Sequence, residues 1–152
     1  MIKQVVRDQY QSKIDQLIDI KRINKPKEGW IRTLRKALGM SSPQLAKRIG
    51  VGKAQASQME RMEMEDRITL KQLRRVAEAF DCDLVYGLVP KQSVETMIRD
   101  QAKKKAKYLV EKTDVQMKLE VQQLPKEAIE RQIEIETERL LKEMPRELWE
   151  EI

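Results

Sequence analysis

The sequence predicts an all-α fold: a helical bundle between an N-terminal helix and a C-terminal helical extension, with one short strand. Three observations lead there. Long segments carry apolar residues at three- and four-residue spacing, the 152 residues hold only five Gly and five Pro, and aromatic residues make up 4% of the chain. Scarce breakers and sustained helical periodicity disfavour a sheet with many tight turns.

The elements follow in order. Ile2–Ile20 reads as an amphipathic helix with Val5, Val6, Ile14, Leu17 and Ile18 on its stripe, and Asn24, Pro26 and Gly29 mark Arg22–Gly29 as a linker. Trp30, Ile31, Leu34 and Leu38 form the face of a helix ending at Gly39. Ser41 is an N-cap, and Gln44 three residues on completes a capping box; Pro43 is tolerated in that first turn because its missing N–H would have had no partner. The helix Ser42–Ile49 points Leu45, Ala46 and Ile49 inward and stops at Gly50. A further helix spans about Lys53–Met62 with Ala56 and Met59 inside, and Thr69 caps another carrying Leu70, Leu73, Val76, Ala77 and Phe80. Leu84–Val89 is short, apolar and rich in β-formers, which predicts the strand.

Ser93 caps a helix through about Val110, with Val94, Met97, Ile98, Ala102, Ala106 and Leu109 on one side and Lys103, Lys104, Lys105 and Lys107 on the other. A polar break at Thr113–Asp114 leads to one or two helical turns over Val115–Gln123. Pro125 starts a last helix to about Met144, with Ile129, Ile133, Leu140, Leu141 and Met144 on one face and the pairs Glu127–Arg131 and Glu138–Lys142 on the other. The domain organisation that results is 1–28 (N-terminal helix and linker), 29–90 (bundle with terminal strand) and 91–152 (C-terminal helical region).

Composition excludes several functions. The chain has no His and a single Cys, Cys82, so an enzyme built on Cys–His or Ser–His nucleophiles, most zinc sites and an intrachain disulfide are all disfavoured. Cys82 reads as a small, half-buried core residue. No Gly-rich phosphate loop is present, and Glu134, Glu136 and Glu138 read as a solvated helix face, so no cofactor, metal or catalytic residue is expected. No apolar run approaches the roughly 20 residues that span a bilayer, and the first residues do not resemble a signal peptide, which predicts a cytoplasmic protein with no membrane partner. Charge is uneven. Residues 1–90 carry 18 Lys and Arg against 11 Asp and Glu, whereas residues 125–152 carry 5 against 9. The basic part favours a polyanionic partner.

The stretch Ser41–Glu60 narrows that partner to double-stranded DNA. Two short helices crossing closely need small residues at the crossing, which Ala46 and Ala56 supply; Gly50 allows the sharp turn, and Val51 plugs it. The outward positions of the second helix are Lys53, Ala54, Gln55, Ser57 and Gln58. Lys and Gln match the acceptors and donors of base edges in a major groove. Lys47 and Arg48 would serve the phosphates. Residues Gly29–Phe80, with Leu-Ala-x-x-x-Gly-Val at Leu45–Val51 and Met59-Glu60 closing the second helix, resemble the phage-repressor (XRE) type of helix-turn-helix. That resemblance implies base contacts from Lys53, Ala54 and Gln58 and a phosphate contact at the helix start, where Ser42 stands in place of the usual Gln and Gln44 lies close by. The acidic loop Met62–Ile68, with Glu63, Glu65 and Asp66, is expected to face away from the nucleic acid.

Four further peptides, Lys27–Arg32, Ala37–Ser41, Thr69–Arg75 and Asp81–Pro90, are similar to the bacterial family called mobile mystery protein A. The resemblance implies a regulator and antitoxin beside a Fic-domain toxin, with residues 91–152 as the partner-binding region. It also implies an inhibitory glutamate, for which Gln116-Met117-Lys118-Leu119-Glu120-Val121 is the nearest match to Ser/Thr-x-x-x-Glu-Gly/Asn and Glu120 the residue. The competing reading is a stand-alone dimeric transcriptional repressor; a protein-interaction module that never meets DNA fits the basic region less well. A lone strand leaves its edges unpaired, so Leu84, Val85, Tyr86, Gly87 and Leu88 are expected to pair with the same segment of a second copy in a homodimer.

Overall fold

A computed structural model describes residues 2–119 and 125–152. The chain divides into two compact units, Met1–Val89 and Pro90–Ile152.

The first unit opens with α1 (Ile2–Asp15) and α2 (Ile18–Lys21), so the single helix expected over Ile2–Ile20 is interrupted. The interruption is a pair of tight i→i−3 bonds, from Leu17 N–H to Ile14 C=O and from Ile20 N–H to Leu17 C=O, both 3.0 Å. They fall where the Leu17 side chain lies against Gly87: a Cβ there would meet Leu17 Cδ2 at 2.6 Å. The stripe is not buried as a whole, since Val5, Val6 and Ile18 are exposed.

The bundle proper is α3 (Trp30–Ala37), α4 (Ser42–Ile49), α5 (Lys53–Met64) and α6 (Leu70–Ala79). Its core joins Ile31 of α3, Leu45 and Ile49 of α4, Met59 of α5 and Val76 of α6 with Phe80, and Leu34, Met40, Val51, Ile68 and Leu73 pack around it. Trp30 and Leu38, expected on the inner face of α3, are exposed. Trp30 lies to one side of the inward direction set by Ile31 and Leu34, and Leu38 is the C-cap residue, past the last residue of the helix.

Two helix starts are fixed by reciprocal side-chain bonds. Gln44 N–H donates to Ser41 Oγ (3.3 Å) while Ser41 N–H donates to Gln44 Oε1 (2.8 Å). Thr69 and Gln72 repeat the arrangement at α6, at 3.1 Å in each direction. After α6 the backbone turns at Asp81 (φ 57°) and runs irregularly to Pro90. Among the described residues there is no strand, so the expected strand over Leu84–Val89 is not formed. A strand is defined by its ladder, and no described segment supplies one to this stretch. Cys82 is exposed rather than half-buried, because it follows the last core residue, Phe80, just past the turn.

The second unit is α7 (Val94–Leu119), α8 (Lys126–Glu143) and a 3-10 turn, Arg146–Trp149. Ser93 Oγ accepts from Thr96 N–H at 3.1 Å and starts α7. The helix continues past Val110 and through the expected break, where Thr113 Oγ1 donates to Leu109 C=O (3.1 Å) and so satisfies its hydroxyl within the helix. Ala102 and Ala106 are fully buried in a core with Leu140 and Leu148. Gln101 Nε2 donates to Leu148 C=O at 2.8 Å, tying the 3-10 turn to α7. Lys105 does not join the solvated lysines. It is only 8% exposed, with its ammonium 6.0 Å from the ring centre of Tyr108. Glu138 pairs across to Arg99 at 3.1 Å.

Candidate nucleic-acid interface

The α4–α5 pair is held rigid from beneath. Leu45, Ala46 and Ile49 of α4 and Ala56 and Met59 of α5 are buried, and the small side chains of Ala46 and Ala56 let two short helices approach closely. Between them the chain reverses at Gly50, whose φ of 86° is the left-handed conformation that closes a helix. The N–H groups of Gly50 and Val51 both donate to Ala46 C=O, at 2.9 and 3.0 Å. Arg75 Nη2 donates to Ile49 C=O (3.3 Å) and Arg48 Nε to Ala79 C=O (2.8 Å), so two arginines fasten the end of α4 to α6. Arg48, expected at the phosphates, also tethers the bundle through its Nε.

Two buried glutamates of α5 orient α3. Glu60 accepts from Arg32 Nε at 3.1 Å and Arg35 Nε at 2.5 Å. Arg35 Nη1 also donates to Met40 C=O at 3.1 Å. Glu63 is only 5% exposed and accepts from Trp30 N–H and Ile31 N–H, each at 2.8 Å. It supplies from another helix the cap that Gly29, the residue at the α3 N-cap position, cannot supply itself. Gly29 in turn has φ 82°, and a Cβ there would meet Glu63 Oε1 at 2.7 Å, so both conformation and space require glycine. Lys25 Nζ closes the arrangement on the Glu63 C=O (3.3 Å) and Asp66 Oδ1 (2.9 Å). On the outer side Lys36 hydrogen-bonds Glu28 at 2.7 Å and holds its carboxyl below the usual carboxylate range; this exposed pair adds little stability. The acidic loop therefore does not simply turn outward, because its first carboxylate is structural. Glu63→Ala should lower stability by about 2 kcal/mol, with Glu63→Gln recovering part of it through one remaining acceptor. Urea denaturation of the three proteins checks this; equal midpoints for all three would refute the capping role.

What α5 presents outward is the candidate interface. Lys53, Ala54, Gln55 and Gln58 are exposed, and among the described residues none of their side chains is hydrogen-bonded. Ser57 is half-buried and its Oγ lies 3.4 Å from Ser42 Oγ, so the two serines link the start of α4 to α5 and are partly committed to each other. Gln44 is exposed, but its Oε1 is occupied by the capping box, leaving its Nε2 donors for a ligand. All seven expected contact residues thus lie on the α4 start or the outward part of α5. The segment Leu84–Leu88 belongs to the same unit but to a different element, and Glu120 lies outside the described residues.

Residues 31–86 match the helix-turn-helix family model. Those residues form a helix-turn-helix domain. The match begins within α3, includes α4, α5 and α6, and ends in the irregular segment after α6. Such a domain implies DNA binding, and α5 occupies the place of its recognition helix. Comparison with curated proteins and with solved structures returned no match. Among the described residues no helix is long and apolar enough to cross a membrane.

The roles of Glu60 as partner of two arginines and of Glu63 as the cap of α3 were not among the expectations from sequence. The signal was present: Ala56, Met59, Glu60 and Glu63 share one helical stripe, so both carboxylates had to meet the core side of the bundle.

Proposed function

We propose that this protein is a sequence-specific transcriptional regulator that lays α5 in the major groove of double-stranded DNA, with Ser42 and Gln44 at the adjacent phosphates. The outward face of α5 carries the reading: Lys53, Gln55 and Gln58 are polar, exposed and uncommitted on a helix whose opposite side is locked into the core. Lys suits the O6 and N7 acceptors of guanine, Gln can pair with N6 and N7 of adenine, and the Ala54 methyl suits a thymine methyl. Lys53→Ala and Gln58→Ala should each cost about 1–3 kcal/mol on a duplex selected by the wild-type protein and leave binding to scrambled DNA nearly unchanged. Anisotropy titrations at one stated salt concentration test this. Unchanged affinity of the double variant for the selected duplex would sink the assignment.

The reading extends to a two-fold assembly through Leu84–Leu88. Val85, Tyr86 and Leu88 are 72%, 60% and 86% exposed, an apolar run suited to a second copy. Two α5 helices so related would address half-sites about 34 Å apart in a palindromic operator. The resemblance to mobile mystery protein A supports a further role as antitoxin of a Fic-domain partner, with Glu120 as the inhibitory carboxylate. A stand-alone repressor lacks that partner and keeps the same DNA interface.

A further inference from the structure

We propose that Arg61 is a phosphate anchor of this interface, gripping the DNA backbone at the wall of the groove that α5 enters. The inference rests on the DNA-binding reading and adds a residue to it.

Helix geometry places Arg61 on the groove side. At about 100° per residue and with Ala54 as the centre, Gln58 lies near +40° and Arg61 near −20°, whereas the buried Ala56, Met59 and Glu63 cluster on the opposite side. Arg61 is thus closer to the middle of the outward arc than Gln55.

Its charge is uncommitted. The Arg61 side chain is exposed and makes no hydrogen bond or ion pair with any described residue. The two carboxylates that could neutralise it are taken. Glu60 is turned inward to Arg32 and Arg35, and Glu65, four residues on along the same face, is held by Arg67 Nε at 2.7 Å.

Position along the helix then separates phosphate from base. Arg61 stands seven residues beyond Ala54, a rise of about 10.5 Å. The first turns of a recognition helix meet the base edges, and the major groove is only about 12 Å wide. A side chain two turns further along reaches the groove wall, where the phosphates are. A planar guanidinium with five donors suits that target.

The test uses the full chain and two duplexes, one enriched from a random pool by the wild-type protein and one scrambled. Binding is followed by anisotropy across a monovalent salt series. Arg61→Ala should weaken both duplexes about tenfold and reduce the slope of log K against log salt by about 1, while Arg61→Lys, which keeps the charge, should retain the slope. Unchanged binding by Arg61→Ala overturns the proposal. So does a loss confined to the enriched duplex with the slope intact, which would make Arg61 a base reader. Failure of the wild-type protein to enrich or bind any duplex overturns the DNA-binding reading and this proposal together. Because Arg61 is exposed, an unchanged circular dichroism spectrum is expected for each variant.

Discussion

Leu45→Ala should destabilise the first unit by about 4 kcal/mol, near the upper part of the range for emptying a fully buried leucine site. Leu45 has no solvent exposure and sits among Ile31, Ile49, Met59, Val76 and Phe80, contributed by every helix of the bundle or its end. The neighbours belong to different helices capped at fixed points, so they cannot collapse into the space without shifting the helices themselves. A domain of this size has a total stability of about 5–15 kcal/mol, so the loss is a large fraction of it. DNA binding should fall in parallel, because the same leucine sets the position of α4 under α5. Chemical denaturation in a Trp149→Phe background, where Trp30 alone reports, isolates the unit. Leu38→Ala, at an exposed site, should change stability by less than about 0.5 kcal/mol. Similar losses for the two variants would contradict the packing described above.

Glu60→Ala should cost about 3 kcal/mol, because it leaves two arginines without the carboxylate that brought them together. The Glu60 side chain is 3% exposed, and those of Arg32 and Arg35 are 32% and 15% exposed. Arg32 can turn to water, which moderates the cost, but Arg35 is committed on its other side to Met40 C=O. The loss is therefore mainly the penalty of unpaired charge. Replacing all three residues by Met should cost less than Glu60→Ala alone, since it removes the stranded charges while keeping the volume. Thermal denaturation of the single and triple variants measures the difference. A triple variant less stable than Glu60→Ala would show that the ion pairs themselves carry the stability.

The parts of the fold readable from the sequence were those governed by neighbours within one turn. Ser41–Gln44, Thr69–Gln72 and Gly50 follow local capping rules, and Leu45, Ile49, Ala56, Met59 and Val76 follow the helical period; each holds in the structure. The inward direction of Glu60 and Glu63 follows the same period, but their partners were not readable that way. Glu60 is satisfied by residues 25 and 28 positions earlier, and Glu63 by backbone N–H groups 32 and 33 positions earlier. Those partners depend on where α3 begins, which no short window contains. Leu84–Val89 shows the opposite limit. Its residues favour a strand, yet strand formation needs a second segment, and propensity cannot supply one. Among the DNA contacts, residue type and spacing pointed to Lys53, Gln55 and Gln58. The Ser42–Ser57 contact and the occupied Oε1 of Gln44 required the helices to be placed first.

Whether α5 is the surface that meets DNA is tested by amide chemical-shift mapping, without altering any side chain. The 15N-labelled protein would be titrated with a duplex it has enriched from a random pool. The largest shifts should fall on Lys53, Ala54, Gln55 and Gln58, with smaller ones at Ser42 and Gln44 and little change at the buried α6 residue Val76. Shifts concentrated on α7 and α8, with the α5 amides unmoved at saturation, would contradict it.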